Sequence, residues 1–436
     1  MSSMAMTGLS PEQAPPLRIP ALFFLSAPVF VIVVGIAFLT LGDAALLSTN
    51  APTTLALIHL GTLGFFAMTM FGALYQMIPV VAGIPVKAPR LAYGVYGLLI
   101  ALLLALTAAL YRGEVNFFRV ALILGVAVLV LFALPIAFAL GRAPIQNPSV
   151  NGLRLAVAGL FGVFIVGLAM AYGRGFVGYY ADWNAWRTTH VALGFLVWIG
   201  GLISAVSWQV APMFYLTPPL PRWSQRLSLG SALLVLVIAP VALGVGAGER
   251  WIAVIALPAA GVQWLVHPAV VAVALRRRRR KSRDASMAFW QLALAVAPFA
   301  FIAGIVANSS DDARAPVVFG WLVLWGWGGA IIHGMGVRIL PFLTWFHRLA
   351  PWVGHRPVPP MRRLLSQGRI WSAWILHVLT LVAGCVAAVG GQTLWFYLTG
   401  MFLVLTAWLM LANHWHVLSI GRSFAQSSIA RSEHAM

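Results

Sequence analysis

Long apolar runs alternate with short polar breaks from one end of this chain to the other. Runs long enough to cross a bilayer lie near residues 20–41, 53–80, 91–110, 117–140, 152–172 and 188–212. Six more lie near 226–246, 250–275, 286–308, 316–342, 369–390 and 394–418. A spanning helix needs about twenty apolar residues, so the pattern predicts an all-α polytopic membrane protein of about twelve transmembrane helices. The breaks carry turn and interface residues (Pro, Gly, Arg, Trp), and none is long enough to form a separate soluble domain. The two longest connections, near 276–285 and 343–368, are basic and proline-rich. Residues 1–19 and 419–436 are expected to be polar tails. The first lacks the charged start and cleavage site of a removable signal, so the first apolar run reads as a retained span.

Composition agrees with this pattern: 61% of the 436 residues are hydrophobic and 8% are charged, against roughly a quarter charged in soluble proteins. A formal charge of +19 would by itself suggest a nucleic-acid partner, but its distribution follows the loops. The even-numbered loops and the two tails hold 21 of the 28 Lys and Arg, whereas the odd-numbered loops hold six of them and six of the nine acids. Positive charge stays on the cytoplasmic side, so both termini are predicted to be cytoplasmic, in a bacterial inner membrane. The run of basic residues at 276–283 then reads as an anchor beside anionic lipid, and no nucleic-acid partner is expected. The single cysteine, Cys385, lies in an apolar run, which excludes an internal disulfide framework and a cysteine-based metal cluster.

An internal repeat is visible in three spans. The second runs from His59 through Gly64-Phe65 to Gln76 and Pro79; the sixth runs from His190 through Gly194-Phe195 to Gln209 and Pro212. The tenth has Trp321 in place of the histidine, Gly334 in place of Gly72, and Arg338 and Pro341 in place of the Gln and Pro. Three related spans at four-helix intervals imply a four-helix unit repeated three times, over roughly 20–140, 152–275 and 286–418.

The span interiors are nearly free of Asp, Glu and Lys, the groups that ion-coupled carriers place at mid-bilayer. Histidine is the exception, at His59, His190, His267, His333, His377, His414 and His416. A neutral imidazole ligates haem iron or copper and is cheaper to bury than a carboxylate. An interhelical hydrogen bond is the competing role for any one of them. Depth along the helices separates two groups. His59 and His190 open spans that run inward, and are the candidate haem ligands, with Arg187 one turn before His190 as a partner for haem propionates. His267, His333, His377, His414 and His416 lie deeper and are candidate metal ligands, for a copper ion or a second haem. Arg174 and the aromatics Tyr172, Phe176, Tyr179, Tyr180, Trp183 and Trp186 precede His190, as an interfacial belt would. His347, His355 and His434 are expected in solvated loops or the tail.

Twelve helices in three four-helix units, with a histidine at the outer start of the second, resemble the catalytic subunit of the haem-copper oxidases and nitric oxide reductases. In that family the second-helix histidine, followed by a Gly-aromatic step, ligates the low-spin haem, and His59 with Gly64-Phe65 occupies that place. His190 looks like a copper ligand on that family's sixth helix. The tandem His-His of its seventh helix and the His-x-His of its tenth are missing here, so no complete oxygen-reducing centre is expected. The pattern is closer to the NnrS-type proteins, divergent haem- and copper-containing relatives linked to nitric oxide stress, although their His-Thr-Gly-Arg type motif is absent. The resemblance implies haem b, with copper as a further cofactor, and a quinone or cytochrome as electron donor. Its function would be electron transfer or a response to nitric oxide or another small ligand; any enzymatic activity would be that of an oxidoreductase. Two other readings share the twelve helices: a permease, with Gln76, Gln209 and Arg338 lining a vestibule, and a non-catalytic scaffold for a respiratory complex.

Overall fold

A computed structural model describes residues 13–86, 88–143, 147–178, 180, 182–279, 281 and 284–433, with side chains as far as Phe424. His434, Tyr179 and part of the 276–283 basic run fall outside the described residues. The chain is 86% helix, with no strand among the described residues. Apolar surroundings offer the backbone no water to bond with, so each span must satisfy its own N–H and C=O groups by helix formation.

Among the described residues, twelve helices are long and apolar enough to cross a membrane. They are α1 (Arg18–Leu46), α2 (Pro52–Ala82), α3 (Leu91–Arg112), α4 (Val115–Gly141), α5 (Pro148–Val177) and α6 (Trp183–Tyr215). There follow α7 (Arg222–Gly244), α8 (Glu249–Arg276), α9 (Ala285–Ser309), α10 (Arg314–Trp352), α11 (Gln367–Gly390) and α12 (Thr393–Phe424). Each coincides with a predicted run, and the starts are set by local chemistry. Pro52 and Pro148 occupy first-turn positions where a missing N–H costs nothing. The side chains of Asn147, Asp182, Asp284 and Ser366 accept from free backbone N–H groups at the starts of α5, α6, α9 and α11. Two expected boundaries move. Residues 343–352, expected in a loop, extend α10 by two further turns, and the expected C-terminal tail continues as helix to Glu433. His347 is therefore a half-buried helical residue rather than a solvated one.

Burial ranks the helices. In their most apolar stretch α2, α6 and α10 are 61%, 83% and 56% buried, above every other span, so these three stand innermost. Each carries a π-helical stretch near its first third: Leu60–Ala67, Leu193–Ile199 and Leu322–Gly329. The π turn inserts one residue into the helix and re-aims the side chains after it, a device common at functional sites. The stretches in α2 and α10 correspond residue for residue, and so do their closest contacts. A side chain at Gly64 would strike Phe30 of α1 and Leu103 of α3; one at Gly326 would strike Val296 of α9 and Leu381 of α11. Gly72 sits against Phe23 of α1 and Gly334 against Phe289 of α9. Only glycine lets the helices approach this closely. α12 packs along α1, where a Cβ on Gly400 would lie 2.6 Å from the Gly35 carbonyl.

Candidate cofactor site

The connections after α1, α3, α5, α7, α9 and α11 lie at one end of the bundle, called here the odd-loop face. Beneath that face a cavity of about 890 Å³ lies among α2, α6 and their neighbours. Its wall is apolar, apart from a few groups near the loops and two imidazoles, His59 and His190. Both histidines are half-buried, and both line the cavity. Their ring centres lie 6.3 Å apart, with planes inclined at 26°.

Local structure orients each ring. His59 Nδ1 lies 2.8 Å from the Leu55 carbonyl oxygen. A carbonyl can only accept, so Nδ1 carries the proton and Nε2 keeps its lone pair. A backbone carbonyl on one ring nitrogen is the usual way of holding a ligating histidine in the required tautomer. His190 rests against Gly167 of α5, where a Cβ would come within 2.9 Å of its Cε1 atom. The Val163 carbonyl lies beside the His190 ring as a backbone partner, in a position to accept from a ring N–H. With ring centres 6.3 Å apart, the two imidazoles are near enough for one metal ion, at about 2 Å from a nitrogen of each, to be held between them. Two neutral imidazoles beside a large apolar space thus fit a haem, and the space lies within the range of natural cofactor pockets, about 300–1,000 Å³.

Charged groups gather at the mouth. Arg187 and Arg174 both line the cavity. Arg187 donates to Asn50 in the loop after α1 and, at 3.3 Å, to Glu249 at the start of α8, which also accepts from Thr188. The expected propionate partner is therefore already neutralised by an acid. Arg174 stacks over Trp183 at 4.8 Å and is near enough to act electrostatically on His59. Sequence reasoning counted Glu249 only toward topology and overlooked Gly167, which belongs to no motif. Between α8 and α9 the cavity wall includes Val254, Leu257 and Ile305, all of them exposed apolar side chains.

The five deeper histidines do not form one site. Among the described residues, no group of three or more His, Cys, Asp or Glu is placed to hold a metal ion. His267 lies 3.3 Å from the Ser207 hydroxyl between α6 and α8. His416 is half-buried near Arg369, on another side of α12 from His414. His333 and His377 do meet, Nδ1 to Nδ1 at 3.3 Å between α10 and α11, while His414 of α12 packs against Gly336 of α10 and bonds the Phe24 carbonyl of α1. Depth along the spans says nothing of which helices adjoin. Of the residues proposed for a vestibule, Arg338 is ion-paired with Asp284 and none lines the large cavity. Comparison with known protein families and with curated proteins gives no match.

Proposed function

We propose that this multi-pass membrane protein binds haem b between His59 and His190 and serves electron transfer or the response to nitric oxide or a similar small ligand. The observation that carries this reading is the imidazole pair, 6.3 Å between centres, on the wall of an apolar cavity of about 890 Å³. When bound, such a group supplies a one-electron couple at an iron atom. The chain's own contribution is to hold and tune. Leu55 fixes the His59 tautomer, Gly167 seats His190, and the apolar wall excludes water from the ring nitrogens. Arg174 and Arg187 offer positive charge to the acidic edge of the group, with Glu249 competing for the second. The exposed wall between α8 and α9 suits a small apolar ligand or a quinone arriving through the lipid. The charge asymmetry of the loops supports a bacterial inner membrane with both termini in the cytoplasm.

Reduced-minus-oxidised spectra of the purified protein, expressed with ample haem, test this directly. A Soret band is expected, lost in both His59→Ala and His190→Ala while the folded protein is still recovered. Absence of any Soret band in the unaltered protein would sink the proposal. A permease is the second reading, favoured by the size of the cavity and its charged mouth. On that reading His59→Ala alters solute uptake and there is no pigment to lose.

A further inference from the structure

At the even-loop end of the bundle, away from the imidazole pair, three helices each bring an arginine to one place. Arg18 opens α1, and Arg348 and Arg422 lie near the ends of α10 and α12. These helix ends are packed together. Leu17 beside Arg18, Leu343 about one turn before Arg348, and Val417 and Leu418 about one turn before Arg422 belong to a single buried apolar cluster. The contact of His414 Nδ1 with the Phe24 carbonyl oxygen, at 3.1 Å, fixes the register of α12 on α1. From that contact Arg18 lies about 9 Å and Arg422 about 12 Å further toward the even-loop end, at 1.5 Å per residue. The third side chain comes in across Gly421. A Cβ there would lie 3.2 Å from Arg348 Cδ, so the Arg348 stem crosses α12 at the residue before Arg422. Arg18 and Arg422 are both near enough to act electrostatically on Arg348.

The positive-inside rule accounts for basic loops at this end, but not for the gathering of three like charges. Cations kept only for topology can spread into water, whereas Arg348 is half-buried. Neighbouring arginines are engaged: Arg338 by Asp284, Arg356 by the Phe424 carbonyl at 2.8 Å, and Arg369 by Asn413 at 2.8 Å. No side chain among the described residues pairs with Arg18, Arg348 or Arg422. The counter-charge must come from outside the chain. Trp345 and Trp352 flank Arg348 in sequence, and the Trp345 indole N–H donates to the Pro359 carbonyl at 3.0 Å. Indole rings collect at the headgroup level of a bilayer, where the abundant anion is the phosphate of a phospholipid.

We propose that Arg18, Arg348 and Arg422 form a binding site for the phosphate of an anionic phospholipid headgroup, seated where α1, α10 and α12 meet. A guanidinium group offers paired N–H donors that match phosphate oxygens. Three of them repel the ammonium of a zwitterionic headgroup, so the site selects lipids without one. The bound phosphate is a shared counter-charge that draws the first helix, the last helix and α10 together. This site is independent of His59 and His190, and failure of the haem reading leaves it standing.

The test uses the full chain, delipidated in a neutral detergent and titrated with phosphatidylglycerol, phosphatidylcholine of the same acyl chains, or inorganic phosphate. Binding is read by native mass spectrometry and by the midpoint of thermal unfolding. Phosphatidylglycerol should remain bound in the mass spectrum and raise the midpoint, and phosphatidylcholine should do neither. Inorganic phosphate should act only at far higher concentration. Arg348→Met keeps the stem across Gly421 and removes the charge. It and Arg422→Gln should each weaken phosphatidylglycerol binding roughly fivefold, whereas Arg222→Gln, at the even-loop end of α7, should leave it unchanged. Without lipid, Arg348→Met should unfold at a higher temperature than the unaltered protein, because one of three like charges is gone. Equal effects of the two lipids, or an equal loss in Arg222→Gln, would overturn the proposal. So would inorganic phosphate acting at the lipid's own concentrations, which would make free phosphate the occupant. An Arg348→Met protein that is less stable without lipid yet binds phosphatidylglycerol as before would reduce Arg348 to a packing residue and overturn it as well.

Discussion

Gly167 shows how a single hydrogen atom in place of a methyl can define a site. Its missing Cβ is the space in which the His190 ring sits, 2.9 Å from where that carbon would be. Gly167→Ala is expected to cost about 1–3 kcal/mol of stability through overpacking and to push the ring off its position. Pigment per mole of protein should fall roughly tenfold or more, read as Soret absorbance against protein absorbance, with the oligomeric profile on gel filtration unchanged. The Arg187–Glu249 pair gives the opposite expectation. Its side chains are 24% and 33% exposed, so Glu249→Gln should change stability by less than about 1 kcal/mol. It should leave Arg187 free for an anionic ligand edge, so cofactor retention during washing should rise. The two histidines were legible because repeat logic made their helices equivalent. Gly167 and Glu249 were not, since neither belongs to a pattern; only packing brings them to His190 and Arg187.

The elements themselves were legible almost to their ends, because a bilayer allows few alternatives to an apolar helix. Their internal irregularities were not. Nothing in the residues of Leu60–Ala67 or Leu322–Gly329 distinguishes a π turn from an α turn; the inserted residue is tolerated because close glycine contacts hold each side of it. Removing one residue, Thr62, should convert the α2 stretch to regular helix while leaving His59 on nearly its present face relative to Gly72 and Gln76, because the wide turn absorbs one residue. The expected result is a protein that inserts into the membrane in normal amount and keeps its pigment, read as Soret absorbance per mole of protein. Gly64→Leu tests the same element differently. Overpacking against Phe30 and Leu103 should cost about 1–3 kcal/mol, measurable as an earlier thermal loss of monodisperse protein.

At the scale of the whole molecule, charge and packing answer different questions. The count of Lys and Arg on even loops sets which way the bundle faces, and it would do so for almost any arrangement of the twelve helices. Fusion of green fluorescent protein to the C-terminus should therefore fluoresce, and alkaline phosphatase at the same point should be inactive, whereas phosphatase fused in the loop near Asp311 should be active. Which helices meet is a separate matter. Depth along the span placed His267, His333, His377, His414 and His416 at comparable heights, yet His267 belongs with α6 and His416 with α11, because neighbours around the bundle are set by small-residue contacts that no depth count contains.

The seam between α1 and α12 carries one more implication. With Gly35 and Gly400 meeting backbone to backbone, the first helix of the chain lies directly against the last. The place where the chain is opened is then a matter of connectivity rather than of stability. Joining the end of α12 to the start of α1 through a Gly/Ser linker, and reopening the chain between α8 and α9, should give a protein with the same absorption spectrum. Its order of spans would run from α9 through α12 and on to α8.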